Sequence, residues 1–176
     1  MFRSARYVSV FPLVSLLVGA EAFAQDVGRV DMRGSIIETA CAIDMSSRDQ
    51  AIEMATMPVS QIIRDGYGVD RSFTVRLVNC VLPRLGSGLA AQRQFQTTFD
   101  GRADGSFFGV DGNARGVALM IADSRGNVAA PGAPLPLEEL VSGDKVLNYS
   151  MRLMGNKQVL RSGDYYSTIR FKMEYY

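Results

Sequence analysis

Few side chains in this sequence could carry out covalent or acid–base chemistry. The chain has 176 residues, with two cysteines, Cys41 and Cys80, and no histidine. Without histidine, the commonest general base, the serine and cysteine triads and most zinc sites are excluded. The chemistry that remains is the oxidation of two thiols to one disulfide, and the alternative is a pair of buried free thiols.

The acidic residues do not form a catalytic or metal-binding pattern. The stretch that begins at Asp111 has a partial calcium-loop pattern, but Arg115 and Ala122 fall where such a loop needs oxygen ligands. Glu138 and Glu139 are adjacent in the chain, so they do not face each other across a substrate. We therefore expect no enzymatic activity, no metal, no cofactor and no small-molecule substrate.

The first residues have the pattern of a secretory leader. Arg3 and Arg6 precede an almost wholly apolar stretch, residues 7–20, and Ala-Phe-Ala at 22–24 offers a cleavage site. The alternative is a membrane anchor, for which this apolar stretch is short. Cleavage after Ala24 would export the chain to an oxidising compartment, where a disulfide is the default.

The charge of the chain gives it no reason to bind nucleic acid or an anionic membrane. It has 19 basic and 18 acidic residues, and removing Arg3, Arg6 and Glu21 with the leader leaves 17 of each sign. A neutral protein has no electrostatic attraction to either partner, so we expect neither. The length suggests one domain.

The rest of the sequence has the pattern of an all-β domain. Apolar residues recur along six short runs, at 30–36, 73–78, 95–99, 117–122, 147–153 and 165–175. Glycine-containing turns such as Asp65-Gly66 separate them, and Pro136–Val141 is the one stretch with a helical pattern. Repeated short strands joined by such turns predict an all-β sandwich.

The C-terminal run is long and two-faced. Its more apolar face carries Tyr165, Ser167, Ile169, Phe171, Met173 and Tyr175. The pattern has two interpretations: a last strand paired inside its own sheet, or one edge of a groove that another strand must fill.

The N-terminal segment, Gln25–Gly34, has a complementary pattern. It is short and alternating, and Gly28 and Gly34 remove side chains from the face that carries Val30 and Met32, which suits insertion into a narrow groove. It is either the first strand of its own sandwich or a strand donated to another molecule, and the pattern leaves both open.

Three stretches, in their order and spacing, resemble the pilins of chaperone–usher fimbriae. They are Gly28–Ile37 followed by Ala40-Cys41, then Arg71–Cys80, then Gly163 and Tyr175, fourteenth and second from the end. The resemblance implies an all-β, incomplete immunoglobulin-like sandwich over residues 35–176, preceded by a leader over 1–24 and a donor-strand extension over 25–34. In that family a periplasmic chaperone fills the groove with one of its own strands, and the extension of the next subunit later replaces it.

The same resemblance assigns roles to residues at both ends. The donor strand would comprise Gly28, Val30, Met32 and Gly34. The acceptor groove and chaperone contact would comprise Gly163, Tyr165, Ile169, Phe171, Met173, Tyr175 and Tyr176. Basic residues of the chaperone would bind the carboxylate of Tyr176. The implied partners are that chaperone, an outer-membrane usher and other pilins. The implied destination is a cell-surface fimbria, reached through the periplasm.

Further stretches resemble the minor subunit that terminates and anchors P pili. They are Arg64–Gly66, Thr98–Gly101, Ala114–Leu119 and Ile121–Asn127. The extension over residues 25–33 is shorter than the one associated with that subunit. Three hypotheses follow: a terminating or anchoring subunit, a major or adaptor pilin of the rod, and a monomeric secreted β-sandwich binding module.

Overall fold

The structure is a computed structural model that describes residues 31–33, 40–82 and 93–176. Contacts within the chain divide it into residues 1–36 and 37–176, and every described helix and strand belongs to the second unit. In the first unit, residues 31–33 are exposed. The predicted leader, and the donor positions Gly28, Val30 and Gly34, lie outside the described residues.

Short strands account for most of the regular structure between residues 40 and 176. In chain order they are β1 Ala42–Ile43, β2 Arg71–Cys80, β3 Gln94–Asp100, β4 Ala103–Asp104, β5 Phe107–Gly109, β6 Asp111–Gly112, β7 Val117–Asp123, β8 Val128–Ala129, β9 Glu138–Glu139, β10 Gly143–Gly155, β11 Tyr165–Tyr166 and β12 Arg170–Tyr175. Two helices, α1 Met45–Arg48 and α2 Val59–Asp65, lie between β1 and β2.

All the strand pairs are antiparallel and form two main sheets. The larger has the order β1-β2-β10-β7-β5-β4, with β8 also paired to β7. The smaller has the order β12-β3-β9, and β11 pairs separately with β6. In the larger sheet β10 is central: its Leu147 lies opposite Val75 of β2, and its Leu153 lies opposite Leu119 of β7.

The core lies between the two sheets. Val75 and Leu77 of the larger sheet and Phe95 of the smaller sheet are 0% exposed. The ring of Phe99, on β3, meets that of Tyr149, on β10, nearly edge-on at 5.0 Å between centroids. Each such large side chain contributes roughly 1.5–3 kcal/mol to the free energy of unfolding when it is fully buried. The prediction of an all-β, immunoglobulin-like sandwich is confirmed.

The two helices were not expected from the sequence. Asp44 caps α1 by accepting a hydrogen bond from the Ser46 main-chain N–H at 2.9 Å. The expected Asp65-Gly66 turn is the end of α2, where Gly66 has φ 81° and donates its N–H to the Ile62 carbonyl at 2.9 Å. None of the described helices is long and apolar enough to cross a membrane.

The prediction of a helix at Pro136–Val141 is wrong. Its centre, Glu138–Glu139, is β9 and pairs with Gln94 and Phe95 of β3. The Leu140 N–H donates to the Arg93 carbonyl at 2.8 Å, which extends this contact. A single helical turn has a costly nucleus, so pairing with an available strand edge prevails.

The two cysteines form a disulfide between Cys41, just before β1, and Cys80, the last residue of β2. Both are 4% exposed. Because Ala42 lies opposite Val78 in the ladder, the bridge joins two chain segments that are already neighbours. The predicted disulfide is confirmed.

We expect Cys41→Ser to lower the free energy of unfolding by about 4 kcal/mol, because the bridge closes a loop of about 40 residues in the unfolded chain. Thermal unfolding of the variant, compared with the wild type with and without reductant, measures the loss. Intact-mass measurement after alkylation should find no labelled thiol in the native protein and two after reduction. Two labelled thiols without reductant would contradict the prediction.

Candidate functional site: an open cleft beside the C-terminal strand

A cleft of ≈ 1190 Å³ opens on one side of the sandwich. Its floor is the inner face of the larger sheet, formed by Val117, Leu119, Ile121, Met151 and Leu153. One wall is the chain from residue 160 to 171, and the other is residues 49–58, which we call the strap. The cleft is larger than the roughly 300–1,000 Å³ typical of small-molecule pockets.

The C-terminal wall corrects the prediction of one continuous strand over 165–175. Tyr165 and Tyr166 form β11 and pair with β6, whereas Arg170–Tyr175 form β12 and pair with β3. Between them the Ser167 hydroxyl donates to the Gly109 carbonyl at 2.9 Å. The chain changes its pairing partner from β6 to β3 here. The alternation of side chains therefore continues, but the ladder of main-chain hydrogen bonds is interrupted.

β12 is the edge strand of the smaller sheet. Within the described residues it pairs only with β3, so its other edge has no strand partner. Its inward side chains are half-buried: Phe171 lies 6.2 Å from Phe99 between ring centroids, and Met173 accepts a hydrogen bond from Thr97 at 3.3 Å. The strand therefore presents an open backbone edge and a half-covered apolar face.

The strap is held by side chains alone. Ile52, Met54 and Met57 pack against the core, while the alternate residues are mostly exposed. Among the described residues no main-chain hydrogen bond involves residues 51–57. The strap is thus a second wall, and the backbone N–H and C=O groups of its residues 51–57 lack partners in the part of the chain that the structure describes.

Gly163 allows two chain segments to cross at one end of the cleft. A Cβ atom on Gly163 would lie 2.7 Å from the Ala114 nitrogen and from Cβ of Asn113. At the same crossing the N–H groups of Asn113 and Ala114 both donate to the Asp164 carbonyl, at 2.8 and 3.1 Å. The resemblance alone predicted a chaperone contact at Gly163, and the structure adds a role in packing.

Gly163→Ala is therefore expected to destabilise the protein itself. Forcing a methyl group into a packed backbone crossing costs typically about 1–3 kcal/mol, which lowers the melting temperature by a few degrees. Gly155→Ala is the matched control, because its nearest contact would be an ordinary 3.4 Å to Ile62. Equal melting temperatures for Gly163→Ala and the wild type would contradict this packing role.

Tyr165, on the C-terminal wall of the cleft, has a buried side-chain hydroxyl without a partner in the described part of the chain. The Tyr165 hydroxyl is buried and has no hydrogen-bond partner among the described residues, and burial raises the pKa of Tyr165. Burial likewise raises the pKa of Tyr175, and that of Tyr149 to about 12. All three phenols therefore stay protonated at physiological pH.

The structure brings together some of the predicted groove residues and separates others. Gly163, Tyr165, Ile169 and Phe171 line the cleft. Met173, Tyr175 and Tyr176 do not, because they lie farther along the chain beside β3.

Two further predicted positions differ in their surroundings. The Tyr176 main-chain oxygen accepts hydrogen bonds from the N–H groups of Arg93 and Gln94, at 2.7 and 3.1 Å, so this oxygen already has partners within the chain. Met32, the one described donor position, is 91% exposed.

Sequence reasoning missed the strap and the cleft floor as parts of the site. The available signals were the alternation of Ile52 and Met54 and the apolar run of β7, but neither identifies which wall it faces. Residues 31–33, 40–82 and 93–176 contain no group of three or more acidic, cysteine or histidine side chains placed to hold a metal ion.

Comparison with known proteins gives the following relatives. No family model matches the chain. Two proteins of Escherichia coli, the PRS fimbrial minor pilin protein and the PAP fimbrial minor pilin protein, are each 32% identical over 150 residues, covering 84% of this chain and 77% of the relative. The fimbria A protein of Serratia marcescens is 29% identical over 161 residues, covering 89% of this chain and 88% of the relative.

Two solved structures share the fold. The crystal structure of the P pilus rod subunit PapA has a TM-score of 0.70 at 20% identity, covering 78% of this chain and all of that one. A subunit in the structure of a chaperone–usher pilus has a TM-score of 0.69 at 21% identity, covering 89% of this chain and all of that one.

Proposed function

The chain belongs to the fimbrial pilin family, and from that premise we propose that it is a minor structural subunit of a chaperone–usher fimbria, assembled by donor-strand exchange. It is not an enzyme in this proposal. The two relatives with 32% identity are both named minor pilins, which supports the minor role.

The observation that carries the proposal is the open cleft beside β12. Soluble monomers avoid unpaired strand edges, yet this cleft runs beside one, and the apolar side chains of Ile169 and Phe171 on its wall are only half-buried. An extended strand with alternating apolar residues would hydrogen-bond to the edge of β12 and pack against these half-buried side chains. The monomeric binding module, which requires a complete sandwich, leaves this edge unexplained.

We assign the donated strand to residues 25–34, with Gly28, Val30, Met32 and Gly34 on its inward face. Met32, the one inward position that the structure describes, is 91% exposed. In this proposal Gly163, Tyr165, Ile169 and Phe171 receive the strand of a neighbour. Met173, Tyr175 and Tyr176 extend the surface that the chaperone holds.

The partners follow from this mode of assembly. They are a periplasmic chaperone that fills the cleft first, an outer-membrane usher, and other pilins. The subunit would pass through the periplasm to a cell-surface fimbria. A subunit that terminates or anchors the fibre donates its extension and leaves its own cleft without a following subunit, whereas a rod or adaptor pilin uses both.

The test is strand exchange with purified proteins. The mature protein, held by its chaperone, is mixed with a chaperone-held partner pilin, and the product is followed as a heat-stable dimer on a gel. We expect a dimer in which this chain is the donor. A folded, stable monomer that needs no chaperone and forms no dimer would contradict the proposal. A subunit that also accepts a strand in its own cleft has an internal position in the fibre, whereas one that only donates its extension has the terminal position.

A further inference from the structure

The strap depends largely on methionine side chains for its attachment to the domain. Gln50 fixes its start by donating to the Thr74 carbonyl at 2.9 Å, and α2 begins directly after its end. Between these points, residues 51–57 have no main-chain hydrogen bond within the part of the chain that the structure describes. Their attachment rests on Ile52, Met54 and Met57, which are half-buried and pack against the core. Two of the three anchors are thioethers, so a chemical change at sulfur acts directly on this attachment.

Both methionines of the strap can be reached from solvent. Met54 and Met57 line the open cleft, so a small oxidant dissolved in water can approach their sulfur atoms. They are half-buried, whereas Met151 on the cleft floor is 8% exposed and Met45 on α1 is 82% exposed. Met45 and Met151 therefore provide an accessible and a protected reference within the same molecule.

The surroundings of Met57 suit an apolar sulfur and not a polar one. Its side chain packs on the main chain of Gly68, which is buried: a Cβ atom at Gly68 would lie 2.6 Å from the Met57 sulfur. The Gly68 N–H already donates to the Leu153 carbonyl at 2.8 Å, so it is not free to bond to an oxygen on that sulfur. Burying a polar oxygen without a donor is costly, so an oxidised Met57 side chain favours solvent over this contact.

The same oxidation at other half-buried methionines would release no segment. Met120 of β7 and Met154 of β10 lie in the ladder that joins those two strands, and Met173 of β12 lies opposite Thr97 of β3. Main-chain hydrogen bonds hold these strands in place even when one side chain loses its packing. The strap has no such ladder, so its position depends on its side chains.

From this we infer that Met54 and Met57 form an oxidation site that determines whether the strap stays attached to the sandwich. The oxidant is a peroxide. A lone pair on the thioether sulfur attacks one peroxide oxygen, the O–O bond breaks, and hydrogen peroxide leaves as water while the sulfur becomes a sulfoxide. The sulfur is oxidised and the peroxide is reduced, each by two electrons. The strap then detaches and the cleft loses one wall, whatever binds in the cleft.

The test combines oxidation with limited proteolysis of the mature protein, used as it is purified and with its chaperone where one co-purifies. After treatment with hydrogen peroxide, peptide mass spectrometry gives the sulfoxide fraction at each methionine. A protease specific for glutamate then cuts after Glu53, which is exposed and lies within the strap. We expect sulfoxides at Met54 and Met57 to raise the rate of this cut about ten-fold, because a detached segment is open to protease.

A synthetic peptide and two variants isolate the cause of the faster cut. Each rate is divided by that of a peptide of the same residues 49–58 in the same oxidation state, which removes any direct effect of the sulfoxide on the protease. M54L/M57L keeps apolar packing at similar volume without a thioether, so peroxide should not raise its rate. M45L removes a more exposed methionine outside the strap and should keep the wild-type rise.

Cleavage after Glu139, on β9, reports unfolding of the whole sandwich and should not change on oxidation. Three results would overturn the inference. One is that Met54 and Met57 stay unoxidised under conditions that oxidise Met45. Another is that both become sulfoxides while the normalised rate at Glu53 stays the same. The third is a rise of equal size in M54L/M57L or at Glu139.

Discussion

Phe171→Asp is expected to abolish the uptake of a donated strand. Phe171 lines the cleft and lies 6.2 Å from Phe99 between ring centroids, so a strand laid along β12 would enclose the new carboxylate in apolar surroundings. Burying a charge without a partner costs several kcal/mol, and even about 3 kcal/mol is a loss of about 100-fold in affinity. The chaperone complex should fail for the same reason.

Two controls separate the groove from the fold. Phe171→Leu keeps the apolar character and should retain most of the uptake. Lys172→Asp introduces the same side chain one residue later, where the native side chain is 60% exposed and faces away from the core; it should change uptake only a few-fold. The measurements are the yield of chaperone complex from the periplasm and the amount of heat-stable dimer. If Phe171→Asp is secreted as a folded, soluble monomer in normal yield, the groove assignment is wrong.

The strands of the sandwich could be predicted because each has a local signal. Phe95 and Phe99 alternate with polar residues over a stretch of strand length, and the apolar run from Val117 is bounded by glycine and aspartate. Both runs became strands with the expected residues buried. The disulfide could also be predicted, because an export leader together with only two cysteines leaves few alternatives.

The predictions that failed concern elements that depend on contacts between residues distant in sequence. The break between β11 and β12 occurs because Tyr165 finds a partner in β6 and Phe171 finds one in β3, and nothing in the local alternation marks that change. The strand at Glu138 exists only because Gln94 offers an edge. Tertiary pairing overrides weak local preference in both places.

Only one of the two walls of the cleft could be predicted from the sequence. The C-terminal wall has a two-faced pattern that indicates an edge, and the resemblance gave it a role. The strap has a short alternation at Ile52 and Met54 but no ladder, so its sequence does not distinguish a surface loop from a wall. Which residues oppose Phe171 across the cleft follows from the whole topology.

Deleting residues 25–33 is expected to leave the domain folded and to abolish its ability to donate a strand. In the proposed function this segment serves the sheet of a neighbour and not that of its own domain, so the melting temperature should change little. Its loss removes Val30 and Met32, the side chains that would fill the neighbour's cleft. With the deleted protein as donor and a chaperone-held pilin as acceptor, no heat-stable dimer should form.

A full-length variant carrying V30S and M32S is the matched control for length. It keeps the backbone, the glycines and the charges of the extension but loses its inward apolar surface, so it should also fail as a donor. A large residue at Gly34 should slow the exchange, because the cleft would have to accept a side chain where the extension has none.

Each possible result of the deletion has a distinct physical meaning because the donor and the acceptor lie on different parts of the chain. The deleted protein retains β12, the strap and the cleft floor, so it should still accept a strand from a wild-type copy. Loss of donation with retained acceptance would establish residues 25–33 as the donor strand. A dimer formed by the deleted protein as donor would refute that assignment. Unfolding on deletion would mean instead that the segment completes its own sandwich, as the monomeric binding module requires.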